Sequence, residues 1–314
     1  MTFVTLDEIT AARERINGVA RVTPLIDVSA IAGRPLFLKC ENMQPGGAFK
    51  IRGAYNMIAQ LPATERSRGV ITFSSGNHGQ AVAISARALG APAVVVMPTT
   101  APSVKVEGAK AFGADVVFAG TTTLHRKAKA EAIAAERGLT MVPPFDHERI
   151  IAGQGTLGLE ILDQCPGVRT VVAPIGGGGL VSGVAAAVKQ ARPGVAVIGV
   201  EPSGAASMKS SVDANEVRTL DSVQSIADGL MAVRPGDLNF AHVRKFVDRL
   251  ETVEEDEIAA ALRWLLREAK IVAEPSGAVT VAAALRADAG YAAPVVAIVS
   301  GGNLDPAVLI KYLS

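Results

Sequence analysis

Lys50 is the residue whose setting says most about chemistry. It lies in Gly46-Gly47-Ala48-Phe49-Lys50-Ile51-Arg52-Gly53-Ala54, where small residues and an aromatic precede it, and the pattern predicts a lysine at a packed helix start. An ammonium there is costly unless it is neutralised or covalently engaged. A solitary lysine is ordinarily a solvated charge; three polar, glycine-rich turns elsewhere in the chain argue otherwise. Ser74-Ser75-Gly76-Asn77-His78-Gly79 gathers hydroxyls, an amide, an imidazole and backbone N–H groups at one helix start, where a carboxylate can dock. A simple helix cap needs only one Ser or Asn. Gly176-Gly177-Gly178-Gly179 lets the backbone approach a ligand closely and aim several N–H groups at one phosphate. Ser300-Gly301-Gly302-Asn303 places a hydroxyl at a strand end, where it can face a heteroaromatic nitrogen. Beside a phosphate cup and a polar helix start, a lysine that forms a Schiff base is the economical explanation for Lys50.

The tetraglycine turn admits a second reading. Gly177, Gly179 and Gly183 give G-x-G-x-x-x-G, one residue longer than the dinucleotide fingerprint, and Glu201 follows about 20 residues on, where a ribose-binding acid would sit. An NAD-linked oxidoreductase therefore stays open on this segment alone. Other chemistries find no pattern. His78, His125, His147 and His242 lack metal-ligand spacing, no GxSxG elbow occurs, and no Gly-Lys-Ser/Thr follows the glycines. Glu254-Glu255-Asp256 reads as the solvated first turn of a helix.

These turns must be positioned by the elements around them. Continuous apolar runs at 70–74, 93–98, 115–120, 140–145, 170–175, 195–201 and 295–300 alternate with Ala-rich segments, helices being expected near 78–90, 102–112, 121–137 and 180–190. That alternation predicts an α/β protein with mainly parallel sheets covered on both faces. Ligands in such sheets sit beyond the carboxyl ends of strands, where all three turns fall. The run from 53 to 146 is expected to close as a small domain. Residues 1–52 plus 147–314 would then form a discontinuous large one, with a cleft between.

With 314 residues, 49% hydrophobic and 19% charged, the chain can bury two such cores. A net charge of +1 with dispersed basic residues predicts no nucleic-acid partner, and no run of 18 apolar residues predicts a membrane span. Cys40 and Cys165, unpaired by spacing, are expected as buried thiols. A charged N-terminus without a signal-peptide core completes the expectation of a cytoplasmic protein.

Taken in order, GGAFKIRGA, SSGNHG, GGGGL and SGGN resemble the fold-type II pyridoxal 5′-phosphate (PLP) enzymes, of tryptophan synthase β-like architecture, and within them the threonine/serine dehydratase and serine racemase family. The likeness extends from Thr23-Pro24-Leu25 through Glu41-Asn42 and Ala152-Gly153-Gln154-Gly155-Thr156 to Glu274-Pro275-Ser276-Gly277. It implies two lobes, each with a mainly parallel sheet and flanking helices, and favours a single phosphate at the tetraglycine turn. Lys50 would hold PLP as a Schiff base, Phe49 would pack near the ring, and Asn77 would bond the ring hydroxyl oxygen. Gly176, Gly177, Gly178, Gly179 and Leu180 would hold the phosphate, and Ser300 would meet the pyridine nitrogen. Ser74, Ser75, Gly76, Asn77 and His78 would cradle the substrate carboxylate.

The implied reaction is β-elimination on a small hydroxy-amino acid. Lys50 removes the Cα proton, the β-hydroxyl departs, and hydrolysis gives a 2-oxo acid and ammonia. Ser75 matches the racemase acid/base opposite the lysine, so serine racemase and 3-hydroxyaspartate dehydratase are the alternatives on this scaffold. Selectivity is expected near 118–126 and 228–233. The family's cation site maps to Glu201, the Ala205 carbonyl and Ser207, where serine replaces an aspartate, so a weakly bound mono- or divalent cation is expected. A homodimer or homotetramer, with no isoleucine-sensing domain after Ser300, completes what the resemblance implies.

Overall fold

Apolar strands need cover on both faces, and the strands here obtain it from helices. A computed structural model describes residues 2–74, 76–101 and 103–313. The chain begins with α1 (Leu6–Ile16), β1 (Leu25–Asp27), α2 (Ser29–Ala32) and β2 (Leu36–Cys40). Next come α3 (Lys50–Ala59), α4 (Ala63–Arg68), β3 (Val70–Phe73), α5 (Asn77–Ala88), β4 (Ala93–Met97), α6 (Ser103–Ala111), β5 (Asp115–Phe118), α7 (Thr123–Arg137) and β6 (Thr140–Met141). The chain continues with α8 (Glu148–Gln164), β7 (Thr170–Pro174), α9 (Gly179–Ala191), β8 (Ala196–Pro202), α10 (Ser207–Ala214) and α11 (Asp237–Phe246). It ends with β9 (Arg249–Val253), α12 (Glu255–Arg267), α13 (Pro275–Leu285), β10 (Val295–Val299) and α14 (Pro306–Leu313).

One sheet runs β1-β2-β10-β7-β8-β9 and the other β5-β4-β3-β6. All pairings are parallel except that of the edge strand β1 with β2. Alternation along the strands splits the core. Val171, Val197, Val296 and Ile298 pack in one cluster, while Val172, Ile198, Val295 and Ala297 pack in another, so the two clusters lie on opposite faces of the larger sheet. Val70 and Val95 separate from Ile71, Val94 and Val96 in the same way on the smaller sheet.

Strand order explains where the three turns meet. In the larger sheet β7 leads outward through β8 to β9, whereas β10 and β2 lie on its other side. The turn after β7 and the residue after β10 thus flank a point where the winding reverses, the usual place for a ligand. In the smaller sheet β3 is such a point, between β4 and β6, and the Ser74–Gly79 turn follows it.

Several expected boundaries shift. The run at 140–145 is a strand only at Thr140–Met141, because Pro143 and Pro144 have no N–H to donate to a ladder. Three strands were not anticipated, β1, β2 and β9. Cys40 and Cys165 are both free and buried. Among the described residues no helix is long and apolar enough to cross a membrane.

A charged cluster anchors the start of α3. Arg52 is fully buried and donates to both oxygens of Glu41, at 2.7 and 2.8 Å, and to both of Glu160, at 2.7 and 2.9 Å. Lys39, from the middle of β2, reaches Glu160 at 2.8 Å. Two cations and two carboxylates balance, and Thr23, Gln44, Thr156 and Gln164 add further hydrogen bonds. Burial opposes the charge on Glu41, but the Arg52 guanidinium, the Thr23 hydroxyl and Lys39 together outweigh it and hold that carboxyl below its ordinary range.

Candidate active site

A large cleft is lined by Lys50, Asn77, the tetraglycine turn and Ser300, drawing on both sheets. Lys50 opens α3, as the sequence predicts, and its Nζ donates to Pro144 O at 2.8 Å. Burial alone pulls its pKa from 10.5 to about 8. Roughly a tenth of the amine is therefore neutral and nucleophilic at pH 7, hundreds of times more than an unperturbed lysine offers, as Schiff-base chemistry requires. Phe49 lies beside it, with 5.1 Å between Nζ and the ring centroid.

The tetraglycine turn sits at the start of α9, where the helix presents unpaired N–H groups. A side chain has no room there. A Cβ on Gly177 would lie 2.3 Å from the Phe145 ring and one on Gly179 would lie 2.9 Å from Phe145 Cβ, while Gly178 has φ +100°. The turn is also braced from behind: Asn239 Nδ2 and the Gly236 N–H both donate to Gly177 O, at 3.0 and 3.1 Å. Asp146 in turn accepts the N–H groups of Asp237, Leu238 and Asn239 at the start of α11. Phe145, Asp146 and Asn239 were not singled out by sequence. Their contacts span about 30 to 90 residues of chain and leave no local spacing signal.

On the other side of the cleft, the Ser74–Gly79 turn leads into α5. Ser74 Oγ accepts the Gly76 N–H at 3.2 Å; Ser75 lies outside the described residues. Asn77 Nδ2 donates to Glu274 at 2.7 Å, and Asn77 Oδ1 accepts from Asn303 at 2.9 Å. His78 points its Nε2 at Val142 O, 3.0 Å away, so that nitrogen carries the proton. Burial, helped by the charge of Lys50, lowers its pKa to about 3 and keeps the imidazole neutral. With the ring turned inward, the part of His78 available to a ligand is its N–H at the first turn of α5.

Ser300 follows β10 directly, is buried at 3% exposure, and donates to Ser276 O at 3.3 Å. Glu274, which sequence did not assign a role, lines the same cleft and carries a pKa raised to about 7. Burial is the main cause and the nearby Asp228 adds to it. The two expected selectivity segments both reach the cleft, Thr122 to Leu124 and Arg126 from one side and Asp228 to Val233 from the other. Lys105 and Asp228 join across it at 3.1 Å.

The dinucleotide spacing has another cause. Gly183 is a packing residue: a Cβ there would lie 2.3 Å from Ile151 O, on the helix that α9 crosses. Glu201 is buried, and its two oxygens accept the N–H groups of Met208 and Lys209 at 2.8 and 2.7 Å, capping α10. That carboxylate faces α10 and leaves no acid for a ribose. Among the described residues no cluster of three His, Cys, Asp or Glu side chains is arranged for a metal. The hydroxyl of Ser207, the first residue of α10, is buried without a hydrogen-bond partner.

A glycine-lined helix start with no room for side chains, a lysine of lowered pKa and a neutral hydroxyl at a parallel-sheet switch point are the kinds of group that would hold PLP. The comparisons agree. The family described as pyridoxal-phosphate dependent enzyme matches residues 16–301, and the chain belongs to it. It is 43% identical over 314 residues to the L-threonine ammonia-lyase of Thermotoga maritima, covering 99% of this chain and 78% of that enzyme. It is 40% identical to the serine racemase of Oryza sativa subsp. indica, covering 98% and 93%. Maize serine racemase superposes with a TM-score of 0.94 at 38% identity, covering 99% and 97%.

Proposed function

We propose that this enzyme is an L-threonine/L-serine ammonia-lyase. The observation that carries the reading is the meeting of the Lys50 amine, with its pKa near 8, and the glycine cradle in one cleft. PLP, when bound, supplies the electron sink that lets a Cα–H bond of an amino acid break. The chain's own residues do the rest. The α9 N-terminus and Gly176 to Gly179 bind the phosphate, and the first turn of α5, from Asn77 on, receives the substrate carboxylate. Lys50 Nζ takes the Cα proton, for which a pKa close to working pH is well matched. Ser300 would face the ring nitrogen as an uncharged partner, one that would not hold a proton there as a carboxylate would.

A turnover panel of L-Thr, L-Ser, D-Ser and both 3-hydroxyaspartates tests this: the reading expects 2-oxo acid release fastest from L-Thr or L-Ser. A preference for 3-hydroxyaspartate by more than about tenfold, ~1.4 kcal/mol in barrier, refutes it. Racemisation of serine is the second reading, supported by the 40% identity to a serine racemase and by Ser75 in the sequence. Chiral analysis of the serine pool separates the two.

The reading extends to a small domain over 53–146, a cytoplasmic enzyme with reduced thiols, and a homodimer or homotetramer. It also includes a weakly held cation of low charge at Glu201, the Ala205 carbonyl and Ser207. The orphaned Ser207 hydroxyl supports such an ion. A single carboxylate is a poor donor set for Mg²⁺ or Ca²⁺. Thermal stabilisation by K⁺ and not by Mg²⁺ is the expected result.

A further inference from the structure

The side-chain amide of Asn77 is held at both ends. Its Nδ2 donates to Glu274 Oε1 at 2.7 Å, and its Oδ1 accepts from Asn303 Nδ2 at 2.9 Å. Glu274 Oε1 accepts whether the group is ionised or carries its proton on the other oxygen, so it selects the NH2 end; an amide nitrogen only donates, so Asn303 selects the oxygen. Asn303 is itself anchored, because its Nδ2 also donates to Gly46 O at 2.7 Å.

Both clamps occupy space that two glycines leave free. A Cβ on Gly301 would lie 2.2 Å from Glu274 Oε1 and 3.1 Å from Asn77 Nδ2. A Cβ on Gly47, at φ +71°, would lie 2.2 Å from Asn303 Oδ1. Glu274 is fixed by its backbone as well, since it caps α13 and its N–H donates to Gly301 O at 3.1 Å. It is buried at 6% exposure, and among the described residues no ion pair offsets that burial. Packing alone does not call for a carboxylate in such a place, because an apolar side chain would fill it without the desolvation cost.

We infer that Glu274 is a positioning residue that, together with Asn303, turns the Asn77 amide so that its second N–H serves the cleft it shares with Lys50. The inference rests on the proposed cofactor reading, in which that N–H meets the ring hydroxyl oxygen. The visible absorbance of the lysine-bound cofactor responds to hydrogen bonding at that oxygen, which gives a readout independent of turnover.

Three variants of the holoenzyme test it. Glu274→Met removes the acceptor while keeping bulk. It is expected to retain cofactor on Lys50, to shift the visible band, and to lower kcat roughly 10- to 100-fold with KM little changed, the usual scale for losing a supporting hydrogen bond. Glu274→Gln keeps one acceptor oxygen and is expected to stay within about threefold of wild type with the band restored. Asn303→Ala alters an exposed side chain, leaves the buried carboxylate alone, and is expected to shift the band in the same direction. It therefore decides the matter even where Glu274→Met does not fold. An unchanged band and kcat in Asn303→Ala, or Glu274→Gln as damaging as Glu274→Met, overturns the positioning role. Absence of a visible band in wild-type protein saturated with PLP overturns the cofactor reading and this inference together.

Discussion

Replacing Arg52 by methionine should cost more than any other single change near α3. The guanidinium is fully buried and makes four hydrogen bonds to the carboxylates of Glu41 and Glu160, plus one to Thr156 at 3.1 Å. Without it the cluster of Lys39, Glu41 and Glu160 carries one uncompensated negative charge. Glu160 keeps Lys39 at 2.8 Å, but Glu41 keeps only the neutral donors Thr23 and Gln44. Removing one partner from a buried ion pair costs about 3–5 kcal/mol. Over 314 residues, with about 2.1 cal/mol/K of unfolding entropy per residue, that loss lowers Tm by roughly 5–8 °C. Glu41→Gln added to Arg52→Met removes the stranded charge and leaves the Lys39–Glu160 pair intact, so the double variant should regain at least about 2 °C. Differential scanning calorimetry of the three proteins decides the matter. A single variant costing less than about 1 kcal/mol, or a double variant no more stable than the single, would refute the charge-balance account.

Four further outcomes follow from the site. Lys50→Ala should abolish turnover on every hydroxy-amino acid and remove the visible absorbance of the bound cofactor, both read on purified protein. In cofactor-free protein, PLP uptake at Lys50 should rise with pH through about 8, the pKa set by burial, and not through 10.5; stopped-flow absorbance across pH 6–11 shows which. Gly177→Ala drives a Cβ to 2.3 Å from the Phe145 ring, so PLP should bind at least about tenfold more weakly while the Lys50 amine keeps its titration, measured by fluorescence. Glu274 has a folded pKa near 7 against 4.5 when unfolded, so it binds a proton in the fold between those values. Its contribution to stability is full below pH 4.5 and is lost as pH rises through 7. Asp228 reinforces the shift and Lys105 opposes it, and Glu274→Gln should flatten that part of a Tm–pH curve.

Much of the site was legible because it is built from local signals. Lys50 does open a helix, and each glycine-rich turn does follow a strand, since strand ends and helix starts are written in a few adjacent residues. Ordered along the chain, the four motifs also led to the family. What escaped depends on distant contacts. β2 contains Lys39, whose charge hides a strand that is otherwise apolar, and nothing within β2 shows that Glu160 will neutralise it 121 residues later. β9 is polar and half-buried, and β1 has only three residues. Asp146 and Asn239 brace the tetraglycine turn from other segments, and Glu274 meets Asn77 across 197 residues. The pairing of Gly177, Gly179 and Gly183 misled in the opposite sense: spacing cannot distinguish a glycine that admits a phosphate from one that admits a neighbouring helix.

The central claim is that the Lys50 amine carries the cofactor. Borohydride reduction of the PLP-saturated protein, followed by proteolysis and mass spectrometry, tests it most directly. The account predicts a pyridoxyl phosphate adduct on the peptide containing Lys50, with none recovered from Lys50→Ala. Label on another lysine, or no label in protein saturated with PLP, would contradict it.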